Sequence, residues 1–427
     1  MKTLTAIVIG AGDRGARAYA PYALTYPNEL KIVGVAEPGV ERRTRLQQTH
    51  DIPEVNCFES WEEILSSGQK MADIAIICTL DRNHFKPTMR ALELGYHVLL
   101  EKPMSPDPME CIAMEQAAKK YNRQLTICHV LRYTEFWSAI KKVIAKGEIG
   151  EVVSLQLNEN VEAMHMSHSF VRGNWNNKEK SSPMILQKSC HDMDIISFVI
   201  GKECKRVSSY GSLMHFKEEN APAGAPQRCL EGCPVELECP FHAGRYYLGE
   251  GRGWAKKFTE DYTNEGIIQA LQETPYGKCV YRSDNNVVDH QVVNMEFEDG
   301  ATATFSMCGF TREQTRIVQI MGTKGEIRGN MEDNRISIFN FLTRHETVIK
   351  FDHPVGGHGG GDNGIVRTFL REIQFGNNED GVSSASASVR SHLMAFAAED
   401  SRLNEGQSIQ IDEYYNSLLE RSSRLGK

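Results

Sequence analysis

At 427 residues the chain is too long for one ordinary core, so two domains are expected, each burying its own apolar interior. A net charge of −8 without any lysine/arginine block leaves no footprint for nucleic acid or an anionic membrane surface, and points to a small-molecule partner. No run reaches the roughly 18 apolar residues of a membrane span. The opening MKTLTAIVIG lacks the pattern of a secretory signal, and eleven cysteines, several in apolar runs, fit reduced thiols in a cytoplasmic protein better than a disulfide framework.

In chain order, the runs TAIVIG (5–10), KIVGVAE (31–37), ADIAIICT (72–79), YHVLLEK (96–102) and QLTICH (124–129) read as buried strands. Between them lie helix-like stretches such as WEEILSSG, PTMRALELG and PDPMECIAMEQAAKKY. Strand and helix in alternation predict a doubly wound parallel sheet of Rossmann type over residues 1–130. GAGDRG follows the first strand directly. Gly10 permits the tight turn, Gly12 lets the backbone approach a pyrophosphate, and Gly15 lets the helix pack on the strand, so Gly10 to Gly15, with Asp13 and Arg14 between, is a candidate dinucleotide site. Glu37, closing the second strand, can accept from a ribose diol and repel a 2′-phosphate. NAD is therefore favoured over NADP, a preference that Arg42 and Arg43 weaken without reversing.

Beyond about residue 146 long β-rich segments take over: VVSLQLNENV, VVNMEFEDGATATFSMCGF and RIVQIMGTKGEIRGN, with Asp299-Gly300 and Lys324-Gly325 as turns. Residues 131–427 are read as a C-terminal α+β domain with a large, mostly antiparallel open sheet, covered by helices near 188–200, 364–375 and 384–402. An insert at about 217–285, rich in proline, glycine and cysteine, interrupts it as a long lid.

HVLLEKPMS (97–105) carries Glu-Lys-Pro at the end of a buried strand. With CTLDRNH (78–84), HVLRYTEFWSAIKKVIAKGEIGEV (129–152), SCHDMDI (189–195) and GTKGEI (322–327) in order, the chain resembles the glucose-fructose oxidoreductase / inositol dehydrogenase / rhizopine-catabolism (Gfo/Idh/MocA) family over nearly its whole length. The resemblance implies nicotinamide-dependent chemistry on sugars or cyclitols and a homodimer or homotetramer. It places Thr79, Leu80, His84, Glu101 and Lys102 along the cofactor, and gives Lys102 the reacting oxygen. A lysine at the C-terminal edge of a parallel strand does point into the crevice where such sheets bind ligands.

ILQKSCHDMD (185–194) supplies the second catalytic candidate. A hydroxyl proton must leave as hydride leaves carbon, and histidine suits that task near neutral pH. The resemblance assigns it to His191. Gln187 stands where many dehydrogenases of the family place aspartate, and Gln is no base. Lys188 and Asp194 are possible auxiliary or substrate-binding groups, the bland alternative being a capped helix start with solvated neighbours. Arg132 and Tyr133, Arg172 and Trp175 in RGNW, and His358 in GGHGGGD are further candidates for the sugar pocket. Cys229, Cys233, Cys239 and His242 could hold zinc, although their spacing is not that of the common zinc modules, and no catalytic metal is expected.

The leading expectation is an NAD-dependent oxidoreductase acting on a secondary hydroxyl, with Lys102 and His191 handling the proton. The alternatives are an NAD-dependent glycosidase working by transient oxidation and elimination, and a nucleotide-binding regulator without turnover.

Overall fold

The computed structural model describes residues 2–66, 68–352, 357–376 and 383–425. Its first sheet comprises β1 (Leu4–Ile9), β2 (Leu30–Ala36), β3 (Cys57–Phe58), β4 (Ile74–Ile77), β5 (His97–Leu100) and β6 (Leu125–Ile127). All pairings are parallel, in the order β3-β2-β1-β4-β5-β6. Ile74 to Ile77 are buried without alternation because elements cover both faces of this sheet. β3, two residues long, carries no periodic signal and escapes the sequence reading.

The second sheet has nine strands: β7 (Val152–Asn160), β8 (Cys204–Ser212), β9 (His290–Phe297), β10 (Thr302–Cys308), β11 (Thr315–Gly322), β12 (Gly325–Asn330), β13 (Arg335–Asn340), β14 (Glu346–Lys350) and β15 (Ile409–Gln410). Their order is β14-β13-β12-β11-β7-β10-β9-β8-β15, and only the β7 and β10 neighbours run parallel. In β7, Leu155 and Leu157 are buried while Gln156 and Asn158 are exposed, as a sheet with one wet face requires. Asp299 (φ 63°) and Gly300 (φ 83°) make the turn between β9 and β10.

Helix Cys190–Ile200 packs against helix Ala385–Leu403, which also lies on β8 and on helix Pro108–Lys120 of the first domain. Helix Gly361–Phe375 packs on Asp13–Tyr19, the segment opened by the glycine-rich loop. The C-terminal chain thus returns to the nucleotide side. The insert, between β8 and β9, has little regular structure beyond helices Ala243–Leu248 and Asn264–Glu273. It keeps a small core of its own around Tyr247, Ile267 and Leu271. It also reaches the nucleotide loop, with Lys257 Nζ 2.9 Å from an Asp13 oxygen and Arg45 3.4 Å from Glu260. Among the described residues no helix is long and apolar enough to cross a membrane.

Candidate active site

The glycine-rich loop lies at the C-terminal edge of β1. Gly10 has φ +92°, and a Cβ there would come within 2.6 Å of the Cys78 carbonyl oxygen; a Cβ on Gly15 would sit 2.1 Å from the Gly10 carbonyl oxygen. A Cβ on Gly12 meets nothing within 4 Å. Gly12 therefore faces open space, as close approach of a pyrophosphate needs. Glu37 accepts hydrogen bonds from the Ala11 amide (2.8 Å) and the Gly39 amide (3.0 Å), which fixes its carboxylate beside the loop. Arg43 bonds the Glu37 carbonyl and lies 3.2 Å from Glu59. Leu80, after β4, leaves 60% of its surface exposed in the same crevice edge. These residues fit a dinucleotide.

Four other residues expected along the cofactor make internal contacts. Arg14 turns inward, 2.6 Å from Glu101 and 2.7 Å from Asp362, binding the nucleotide loop to the start of helix Gly361–Phe375. Glu101 also accepts from the Tyr19 hydroxyl (2.5 Å) and the Lys102 amide (2.8 Å). Burial opposes its charge, but Arg14 and Lys102 outweigh burial and hold the Glu101 carboxyl below the usual range. His84 is buried, with ring nitrogens 2.8 Å from the Pro103 carbonyl and 3.0 Å from the Thr79 carbonyl. It ties the loops after β4 and β5 together, while the Thr79 hydroxyl donates to the Asn83 carbonyl.

Lys102 projects from the end of β5, and its Nζ donates to the Gln187 carbonyl at 2.8 Å. That carbonyl ends helix Met184–Gln187, and His191 stands one turn further on, second in helix Cys190–Ile200. The His191 ring, on a residue only 5% exposed, meets His129 edge-on at 5.8 Å. His129 follows β6 at the same sheet edge and packs on His392 at 5.4 Å. Burial first, then Arg132 and Lys102, push the His129 imidazole well below its usual range, so it is neutral. His392 accepts from the Met104 amide (3.0 Å), which leaves its other nitrogen to donate to the Ser388 carbonyl (2.7 Å). Burial pushes it down to about 3. His392 thereby secures the chain just beyond Lys102.

The remaining charges of ILQKSCHDMD are buried in ion pairs. Asp194 takes both arms of the Arg132 guanidinium, each at 2.6 Å. Lys188 Nζ lies 3.2 Å from Glu159, Glu159 lies 2.7 Å from Arg316, and Arg316 lies 2.6 Å from Asp192. Glu159 of β7 and Arg316 of β11 are direct cross-strand partners in the sheet register. Burial lowers the Lys188 amine, against the pull of Glu159, and raises the Asp192 carboxyl, against Arg316.

The sugar-pocket candidates disperse. Tyr133 packs on Gly364. Arg172 is buried, donating to the Lys278 carbonyl (2.8 Å) and the Phe241 carbonyl (2.6 Å) of the insert. It anchors the insert and does not face the crevice. Trp175 stays half-buried against Phe170, and the His358 side chain lies outside the described residues. The expected zinc set is not assembled: His242 spends one nitrogen on the Cys229 carbonyl (2.8 Å) and accepts the Arg245 amide with the other (3.3 Å).

His129, Glu159, Arg316 and His392 escape the sequence reading. His129 had a signal, since the edge rule that selects Lys102 after β5 selects equally the residue after β6. Glu159 had one too, a carboxylate in the buried register of an alternating strand. Arg316 and His392 are found only through tertiary contacts.

Comparison with known proteins agrees with this layout. Residues 4–129 match the family model of an oxidoreductase family with an NAD-binding Rossmann fold, and residues 141–377 match that family's C-terminal alpha/beta domain. YteT of Bacillus subtilis (strain 168), an oxidoreductase named without a substrate, is 26% identical over 363 residues, 80% of this chain and 82% of that protein. The 2,7-anhydro-N-acetylneuraminate hydratase of Escherichia coli (strain K12) is 24% identical over 42% of this chain and 51% of its own length. Among solved structures, levoglucosan dehydrogenase with NADH and levoglucosan has the same fold, with a TM-score of 0.70, 16% identity, and coverage of 96% of this chain and 99% of that one. With both family models matched in order along the chain, the protein belongs to the Gfo/Idh/MocA oxidoreductase family.

Proposed function

We propose that the protein oxidises a secondary hydroxyl of a sugar, sugar acid or cyclitol, or reduces the matching ketone, using NAD. The observation that carries this reading is Lys102, whose Nζ spans from the nucleotide-side sheet to the Gln187 carbonyl just before His191. The relatives named for sugar-like substrates support the class, and Glu37 beside the loop favours NAD over NADP. NAD, when bound, supplies the hydride acceptor. Lys102 exchanges its bond to the Gln187 carbonyl for one to the substrate oxygen, and His191 takes the hydroxyl proton. His129, neutral and buried, keeps a second positive charge away from that proton. The insert, held to Asp13 by Lys257, limits water access over the crevice. The solvent face of the nine-stranded sheet, where Val292 and Ile317 are exposed, is the surface for a homodimer or homotetramer.

The test is NADH formation across a panel of sugars, sugar acids and cyclitols. Lys102→Ala and His191→Ala should each lose turnover by about 100-fold or more, the scale of general acid–base catalysis, while binding NAD as the parent does. Full activity in either variant removes that residue from the mechanism. A second reading, transient oxidation with elimination as in an NAD-dependent glycosidase, draws on the missing carboxylate at Gln187 and on the likeness to a hydratase. Aglycone release without net NADH assigns that reaction. NAD binding with no turnover in either assay assigns a regulator.

A further inference from the structure

Residues 217–285 contain four cysteines, Cys229, Cys233, Cys239 and Cys279, and all four line one cavity of about 10 Å³. None is in a disulfide. The fold brings them there by two local devices. The Cys229 amide donates to the Gly277 carbonyl and the Cys279 amide to the Gln227 carbonyl, each at 2.9 Å, so a short antiparallel ladder sets these two cysteines side by side. Cys233 and Cys239 bracket a turn closed by the Glu236 amide on the Cys233 carbonyl (3.3 Å) and the Cys239 amide on the Val235 carbonyl (2.8 Å). The rest of the lining is Pro222, Ala225, Pro226, Val235, Phe241 and their apolar neighbours.

A buried cation stands against this group. Arg172 is 2% exposed, its Nη2 lies 3.7 Å from the Cys229 sulfur, and its Nη1 is buried without a hydrogen-bond partner among the described residues. A buried guanidinium lacking a full anionic partner is costly, and a thiolate-ligated metal supplies the missing negative charge. The insert has the further profile of a segment that needs a staple, with short helices, many loops and a small core.

We propose that Cys229, Cys233, Cys239 and Cys279 are the four thiolate ligands of a structural soft-metal centre, zinc or an iron–sulfur cluster, which fixes the insert on Arg172. Cys279 takes the place that sequence spacing gives to His242. Among the described residues no group of three His, Cys, Asp or Glu side chains is placed to hold a metal ion, so binding has to draw the thiols inward. Each thiol gives up one proton as its sulfur–metal bond forms. For zinc nothing is oxidised or reduced, and an iron–sulfur cluster is taken up preassembled, its iron and inorganic sulfide already at their final oxidation states.

Elemental analysis and acid-labile sulfide assay of the full chain, purified without chelator in air and anaerobically, test this independently of any dehydrogenase activity. The expected result is either about one zinc per chain, or iron with matching sulfide and a visible absorption band; the first assigns zinc and the second a cluster. Cys233→Ser and Cys279→Ser should lose the metal, and Cys308→Ser, outside the insert, should keep it. Should the two insert variants fail to fold, thiol titration of the native parent decides: four thiols become reactive only as metal is released. A metal-free parent in both preparations, metal content unchanged in Cys233→Ser and Cys279→Ser, or four thiols titrating without metal release each overturns the proposal.

Discussion

Asp194→Ala separates two roles for the last carboxylate of ILQKSCHDMD (185–194). Both Asp194 oxygens lie 2.6 Å from Arg132 nitrogens, in residues 1% and 7% exposed. Taking away one partner of a buried ion pair costs about 3–5 kcal/mol, because the other charge stays buried. The Phe198 ring, 4.9 Å from the guanidinium, already contributes its cation–π term in the parent and cannot compensate. Two domains need not unfold in one step, so a global melting temperature is a poor readout. Amide exchange across helix Cys190–Ile200 is a better one, and its protection should fall by at least about 100-fold, the equivalent of about 3 kcal/mol. The double variant Arg132→Met/Asp194→Leu should recover most of that protection, since an apolar pair of similar volume replaces a buried ion pair at little cost. Normal protection in Asp194→Ala combined with lost turnover would refute the structural assignment and make Asp194 part of the proton path.

Two glycine variants should part company. Gly12→Ala, whose methyl meets only open space, should leave stability within about 0.5 kcal/mol and weaken NAD binding at least about tenfold, whereas Gly15→Ala collides with the Gly10 carbonyl and should impair folding itself; calorimetry and NAD titration of both distinguish them, and unchanged affinity in Gly12→Ala removes the loop from the cofactor site. Acid should destabilise the protein. Burial first, then Arg172 and Lys257, hold His168 at about 3, and burial holds His392 at about 3, each well below the ordinary histidine value of about 6.5. Both are neutral when folded and protonate when unfolded, so their contribution is complete above pH 6.5 and is lost as pH falls towards 3. Between pH 7 and pH 5 the loss is about 2 kcal/mol for each histidine. Urea denaturation at constant ionic strength reads this slope, and His168→Phe should reduce the loss between pH 7 and pH 5 by about 2 kcal/mol; a stability independent of pH in this window contradicts the burial of both rings.

The parallel sheet was legible because its strands are apolar runs bounded by turns, and Gly10, Gly12 and Gly15 could be read individually because each answers a steric demand. Helices near 188–200, 364–375 and 384–402 appear at 190–200, 361–375 and 385–403 for the same reason, a clear three-and-four spacing. Side-chain partners were not legible. Arg172 looks like a substrate contact in RGNW, and only the path of the insert shows that its guanidinium is claimed by carbonyls about 70 and 106 positions away. Arg14 likewise sits inside the nucleotide fingerprint yet turns to Asp362, 348 positions along the chain. A motif specifies which side chains its own backbone holds; which groups meet them across the cleft depends on contacts that no local pattern encodes.

Gln187 shows how much turns on such contacts. At this position it is the backbone carbonyl that meets Lys102, an interaction any residue type can make, so loss of the carboxylate need not displace the lysine. The change falls on charge balance instead. Asp192 and Asp194 are each engaged by an arginine, and Glu159 is shared between Lys188 and Arg316. Lys102 lies close enough to depress the buried Lys188 amine, three residues before His191 in the chain. In the proposed reaction a proton taken by His191, with Gln187 in place of a carboxylate one turn before it, is passed onward or returned to an adjacent oxygen. Prompt onward transfer serves a dehydrogenase and prompt return serves an elimination followed by re-reduction. Restoring the carboxylate with Gln187→Asp should shift the balance towards net NADH formation if the second reaction is the native one, and should leave the ratio of NADH to product unchanged if the first is.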